Sequence, residues 1–127
     1  RCGAIELDHV VLLTTSLERT SHAVEDALGI ECLRIRETDT VRQAFHRFDD
    51  ANGARGCIVE VVETDRVDTT TVMGVVINVH DLHDLAGELG PDVLSSPKQA
   101  VQPGRFISSV RRDVGLGTAV AFMSPVS

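Results

Sequence analysis

Glu60 stands in the middle of Gly56-Cys57-Ile58-Val59-Glu60-Val61-Val62-Glu63, a run with apolar residues on both alternating faces. Such a run reads as a central strand covered on both sides. A carboxylate buried there is costly unless it is paired, bound to a metal or protonated. Glu60 is therefore expected to act as an acid/base or a metal ligand, or else to pair with an arginine such as Arg42, Arg47 or Arg105. His9, in Leu7-Asp8-His9-Val10-Val11, shares a strand face with Leu7, Val11 and Leu13. Where that face meets the one carrying Glu60, imidazole and carboxylate supply half of a divalent-metal site. A hydrogen-bonded structural histidine is the alternative reading. His46, between Phe45 and Arg47, points to either side of its strand. His22, His80 and His83 read as solvated helix residues.

A second feature is basic. Residues 91–127 carry Lys98, Arg105, Arg111 and Arg112 against two acidic residues, opposite to the trend of the chain. Arg105 follows the turn Gln102-Pro103-Gly104, where it can bind a substrate carboxylate or phosphate. A solvated cluster is the other reading. Gly115-Leu116-Gly117 reads as a hairpin turn and not a phosphate loop, because a strand follows it and no Lys-Ser/Thr does. No nucleophile elbow, Walker sequence, His-Glu-x-x-His or EF-hand loop occurs.

The elements that position these residues form a repeat. Residues 5–14 read as a strand. Thr15-Ser16 caps a helix carrying Leu17, Val24 and Leu28, and Gly29 ends it. Strand-like runs follow at 30–37, 41–48 and 56–63, with Asp49-Asp50-Ala51-Asn52-Gly53 as the last turn. The order then recurs. Residues 72–79 form a strand, and His80-Asp81 caps a helix with Leu82, Leu85 and Leu89, closed by Gly90-Pro91. Further strands are expected near 92–95, 105–112 and 117–123. Val10-Val11-Leu12 matches Val75-Val76-Ile77 at an offset of 65, whereas Leu28-Gly29, Phe45 and Gly56 match Leu89-Gly90, Phe106 and Gly117 at 61. The second helix is thus four residues shorter, about one turn, which keeps its apolar face in phase. The predicted fold is α+β: two tandem βαβββ modules, about 5–63 and 72–124, joined by a linker at 64–71. Together they make one domain with a curved, cup-shaped mixed sheet and helices outside. The helix-free faces must meet each other, a partner chain or a ligand.

Composition narrows the function classes. The 127 residues carry 12 basic and 19 acidic side chains, a formal charge of -7, which argues against a nucleic-acid surface. Four Phe with no Tyr or Trp leave little for base stacking. No apolar run is long enough to span a bilayer. The cysteines Cys2, Cys32 and Cys57 are odd in number and lack a Cys-x-x-Cys pair, which points to a reducing, cytoplasmic setting with Cys32 and Cys57 as small apolar strand residues. The chain begins at Arg1 and shows no signal-like segment, and a removed leader stays open.

Leu7-Asp8-His9-Val10-Val11, the capped helix ending in Leu28-Gly29 and Ile58-Val59-Glu60-Val61-Val62 resemble the vicinal oxygen chelate superfamily. That superfamily includes glyoxalase I, methylmalonyl-CoA epimerase, extradiol dioxygenases, and fosfomycin- and bleomycin-resistance proteins. The segment from Pro97 to Arg105, with Val110-Arg111-Arg112, resembles a bacterial glyoxalase-like subgroup without an assigned reaction. The resemblance implies metal ligands at His9 and Glu60 and, by the two offsets, at Gly74 and Ala121. Neither of the latter can ligate, so His46 or Asn78 is left to complete a site for Zn, Ni, Mn or Co. It also implies a lyase or isomerase acting on a small carbonyl or carboxylate compound. There Glu60 is base or ligand, and Arg105, Arg111, His46, Asn78, Val11 and Met123 contact substrate. The alternative is a metal-free binding or sequestration protein whose cavity is enlarged at Gly74 and Ala121. Pairing into a homodimer is expected in either case.

Overall fold

The structure, a computed structural model, describes residues 3–49, 52–53 and 55–125. Cys2 and the turn residues Asp50 and Ala51 lie outside the described residues. Eight strands and two α-helices make an α+β fold with mixed parallel and antiparallel pairing.

The chain divides into two compact units. His9–Met73 forms one, and the described residues before and after it form the other. The division falls inside the first strand, β1 (Ala4–Thr14), so the residues up to Asp8 group with the second half of the chain and not with the first.

In the His9–Met73 unit, helix α1 (Leu17–Leu28) follows β1, then strands β2 (Cys32–Glu37), β3 (Arg42–Asp49) and β4 (Arg55–Glu63). β2–β3 and β3–β4 pair antiparallel, and β1 pairs with β4 in parallel, with His9 opposite Ile58 and Val11 opposite Glu60. The Ser16 hydroxyl accepts from the Arg19 N–H at the helix start, and Gly29 closes the helix at φ 70°, a conformation that costs glycine little. Leu17, Ala44, Val59 and Val61 form the core, with Leu12, Ile30, Cys32 and Phe48 against it. Leu28, expected on the same stripe, is 54% exposed because it is the last helical residue.

In the other unit, β5 (Thr71–Val79), which enters it at Gly74, leads into α2 (Leu82–Leu89), then β6 (Lys98–Gln99), β7 (Phe106–Ser109) and β8 (Ala119–Met123). β5–β8 is parallel, while β7–β8 and β6–β7 are antiparallel. The repeat holds at the level of register. The offsets of 65 and 61 carry His9↔Ile58 onto Gly74↔Ala119, and Val11↔Glu60 onto Val76↔Ala121, and both images are observed pairs. Val79, Leu82, Leu85 and Leu94 form this core, with Ala86, Phe106, Val110 and Phe122 around it.

Two expected strands differ. Residues 92–95 form a turn in which Val93 and Leu94 both donate to the Gly90 carbonyl, and only an isolated bridge joins Leu94 to Val110. Around that bridge the Arg111 N–H donates to the Val93 carbonyl and the Ser95 N–H to the Ser109 carbonyl, and the next strand pairing is at Lys98. The run 105–112 keeps strand geometry over four residues and gives way to a 3-10 turn at Arg112–Val114.

Ser108 is 1% exposed and faces the α2 side with its partner Phe122, yet its hydroxyl has no hydrogen-bond partner among the described residues. A buried unpaired hydroxyl is destabilising, so Ser108→Ala should raise stability by about 1 kcal/mol in urea unfolding. A loss of stability would show that the hydroxyl is satisfied in solution.

Candidate functional site

Strand alternation sorts the side chains of the His9–Met73 unit onto two faces. Leu12, Thr14, Ala44, His46, Val59 and Val61 face α1. His9, Val11, Gln43, Phe45, Ile58 and Glu60 face the other way, and so do Arg34 and Arg36, whose register partners are Phe45 and Gln43.

On that second face His9 Nε2 lies 3.9 Å from Glu60 Oε1, with the two side chains 18% and 17% exposed. The other carboxylate oxygen, Oε2, accepts from Gln43 Nε2 at 2.9 Å. Gln43 Oε1 in turn accepts from Arg36 Nη1 at 2.9 Å. A guanidinium can only donate, so the amide oxygen must face Arg36 and its NH2 must face Glu60. One oxygen of Glu60 is thereby anchored, and the other is turned towards His9. Arg34 stacks over the Phe45 ring, 5.8 Å from its centroid.

The arginines suggested for Glu60 are engaged elsewhere. Arg42 lies on the α1 side and donates to Glu18, Glu37 and both oxygens of Glu63. Arg47 reaches Asp49 at 3.7 Å. Gln43 gave no signal by residue type. Its place follows from the β3–β4 hairpin, which sets Phe45 opposite Glu60 and brings Gln43 diagonally beside it.

His46 cannot join the pair. It is fully buried on the α1 side, with Nε2 2.8 Å from Ser21 Oγ and Nδ1 3.1 Å from the Ile30 carbonyl. It pairs with Val59 in register, one residue from Glu60 and therefore on the opposite face. Val11 shares the His9 face, is 5% exposed and is the register partner of Glu60.

Asn78, Arg105 and Met123 belong to the other unit. Asn78 is 1% exposed, and its Nδ2 donates to Asp8 Oδ1 at 3.0 Å and to Glu6 Oε1 at 3.1 Å. Its Oδ1 accepts from Arg105 Nη2. Arg105 is not at a solvent mouth. It is 2% exposed and donates further to Asp8 Oδ1, Gln102 Oε1 and the Ser124 carbonyl. Four of its five N–H groups therefore meet protein acceptors. Met123 is buried beside Asn78. Arg111 is exposed, its Nε donating to the Pro91 carbonyl at 3.1 Å, and Lys98 and Arg112 are exposed as well. The basic cluster thus separates into one buried arginine and three surface cations.

The donor set does not fit a resident metal. The His9–Glu60 spacing suits two donors of one ion, given bonds of about 2.0–2.2 Å. Beyond those two, His46 faces away, the Gln43 oxygen is held by Arg36, and the Asn78 amide is held within its own unit. At Gly74 a side chain would run into the carbonyl oxygen of Ala119, so this position neither ligates nor opens a cavity, contrary to the expectation of an enlarged one. Ala121 has no donor. Among the described residues no group of three or more His, Cys, Asp and Glu side chains could hold a metal.

Arg42 and two of its carboxylate partners, Glu37 and Glu63, line a depression of about 480 Å³ at the β2–β3 turn. Its cation is already neutralised. The Leu17 N–H and then Arg42 hold the Glu63 carboxyl below the ordinary range, and Arg42 does the same for Glu18. Lowered folded-state values contribute stability that is present above the ordinary carboxylate pKa of 4.5 and lost as pH falls through the folded values. Arg42→Gln should therefore be destabilising at pH 6, and the gap from the parent protein should narrow at pH 3. Equal urea midpoint differences at both pH values would contradict this assignment.

The described architecture, two βαβββ units each pairing its first strand in parallel with its last, is that of the vicinal oxygen chelate, or glyoxalase I-like, fold. Solved structures that share it include methylmalonyl-CoA epimerases. A variant of the Streptomyces coelicolor enzyme in complex with 2-nitronate-propionyl-CoA superposes at a TM-score of 0.72 with 17% identity, covering 98% of this chain and 99% of that one. The Mycobacterium tuberculosis enzyme superposes at 0.76 with 15% identity, covering 98% and 91%. A hypothetical protein of Bacillus halodurans superposes at 0.71 with 14% identity, covering 96% and 95%. No family model matches the chain, and no curated protein matches its sequence. Among the described residues no helix is long and apolar enough to cross a membrane.

Proposed function

We propose that the protein is a small-molecule isomerase in which Glu60 moves a proton on the carbon beside a carbonyl group. The observation that carries this reading is the asymmetric hold on Glu60. Gln43 and Arg36 fix one oxygen, which leaves the other, 3.9 Å from His9, to take the proton. Proton abstraction breaks the C–H bond and leaves the electron pair on the carbonyl oxygen as an enolate. His9 Nε2, when it carries a proton, donates to that oxygen. Protonation of the enolate carbon on its opposite face by a solvent proton, while Glu60 gives up the proton it took to water, yields the epimer. No step is routed through a metal, because the donors at hand number two.

The fold supports the reaction class by likeness, since its neighbours are epimerases and one is in complex with a propionyl-CoA derivative. A fold alone hosts many chemistries, so the site carries the argument. The test is exchange of the α-proton in deuterated water, with methylmalonyl-CoA and smaller 2-substituted carbonyl acids as probes. Catalysed exchange supports the reading. Binding of these compounds without exchange would identify a sequestration protein and retire it.

A further inference from the structure

We propose that Arg34 and Arg36 form a clamp for the anionic group, carboxylate or phosphate, of the compound whose reacting carbon meets Glu60. This inference rests on the reading of Glu60 given above and names the substrate class of that site. The chain as a whole carries a formal charge of -7. The face of β2, β3 and β4 turned away from α1 departs from that balance. It presents Arg34, Arg36 and Arg47 around Phe45 and Gln43, against Glu60 and Asp49.

Among the described residues the two β2 arginines have no carboxylate partner. Of the five N–H donors of Arg36, the described contacts use one, to the neutral amide of Gln43. Arg34 makes a ring contact with Phe45 and no ion pair among the described residues. Arg47 differs, being drawn towards Asp49. Arg42 and Arg105 show how this chain treats its structural arginines: each is saturated by carboxylates, amides or carbonyls. Arg34 and Arg36 have the same chemistry without the partners.

Their placement sets the ligand's dimensions. Glu60 is on β4, Gln43 and Phe45 are on β3, and the arginines are on β2. Two strand spacings, roughly 10 Å between backbones, separate base from clamp, and the arginine side chains shorten that gap. The Gln43 amide links Arg36 to Glu60 through two bonds of 2.9 Å, so the clamp and the base are held in one hydrogen-bonded frame. A compound lying across Phe45 can therefore reach both. A planar guanidinium pairs with either carboxylate or phosphate in a two-pronged manner, so the shared chemistry is a tetrahedral or planar oxyanion.

The experiment is a titration of the nitrogen-15-labelled chain with inorganic phosphate and, separately, with succinate at constant ionic strength. It reads the arginine side-chain N–H and Phe45 amide signals by NMR. Saturable shifts at Arg34, Arg36 and Phe45 are expected. Arg36→Gln and Arg34→Gln should each weaken binding roughly tenfold, the loss of a charge-assisted bond. Arg66→Gln, an exposed arginine in the 64–71 linker, should leave it unchanged. Tighter phosphate assigns a phosphate-bearing compound, and tighter succinate assigns a dicarboxylate; each supports the clamp. Absence of saturation with both anions, or equal weakening by Arg66→Gln, overturns it. Dispersed amide spectra of each variant show that it is folded. Saturable binding without α-proton exchange leaves the clamp standing and removes the isomerase reading, and exchange that is indifferent to Arg36→Gln does the reverse.

Discussion

Glu60→Gln should lower α-proton exchange by about 10²–10⁴-fold, the range of a single positioned acid/base, with little change in stability. The amide is isosteric, and its oxygen can still accept the 2.9 Å bond from Gln43 Nε2. What it loses is the basic oxygen turned towards His9. The effect should therefore fall on turnover and spare binding of the same compound. His9→Ala should cost less, because it removes a hydrogen-bond donor to the enolate and leaves the base in place. A Glu60→Gln protein that exchanges at the parent rate would end the proposal, since Glu60 is the carboxylate that Gln43 holds and that turns its other oxygen towards His9.

The largest effect on stability should come from Arg105→Met, a loss of about 3–5 kcal/mol in urea unfolding. Arg105 and Asp8 have side chains 2% and 6% exposed and meet at 3.1 Å. Removing the guanidinium takes the Arg105 cation from the buried Asp8 carboxylate, which lies next to Glu6 across the shared Asn78 amide. It also strips a donor from the Asn78 oxygen, the Gln102 amide and the Ser124 carbonyl. A second substitution, Asp8→Asn, should recover much of the loss, because it removes the buried charge that Arg105 met. Coupling of this kind between two residues 97 positions apart is what a double-mutant cycle measures. A loss below about 1 kcal/mol, the worth of a solvent-exposed pair, would contradict the buried geometry.

These two residues also mark how far the sequence could be read. Glu60 was legible because a lone carboxylate in an apolar strand is unusual whatever surrounds it. Its meeting with His9 was legible only on the condition that the two strands turn these residues to one face, which the parallel register of β1 with β4 decides. Arg105 was not. A turn, a basic neighbourhood and a strand start describe a solvated anchor equally well. Its burial is decided by Asp8, Asn78 and Ser124, distant in sequence and brought together only by folding. His46 was equally undecided, because a strand residue points to one face or the other according to a register its own neighbours do not encode.

The sequence by itself determined the repeat, the two capped helices and the α+β class, since each depends on local periodicity or on similarity at a constant offset. Tertiary structure alone decided which arginines are structural and which are open. It also decided that Gln43 rather than an arginine holds Glu60, and that Gly74 is closed by the Ala119 backbone. The physical reason is that charge pairing and steric access depend on side chains meeting across strands. Strand register sets those meetings, and composition says nothing about them.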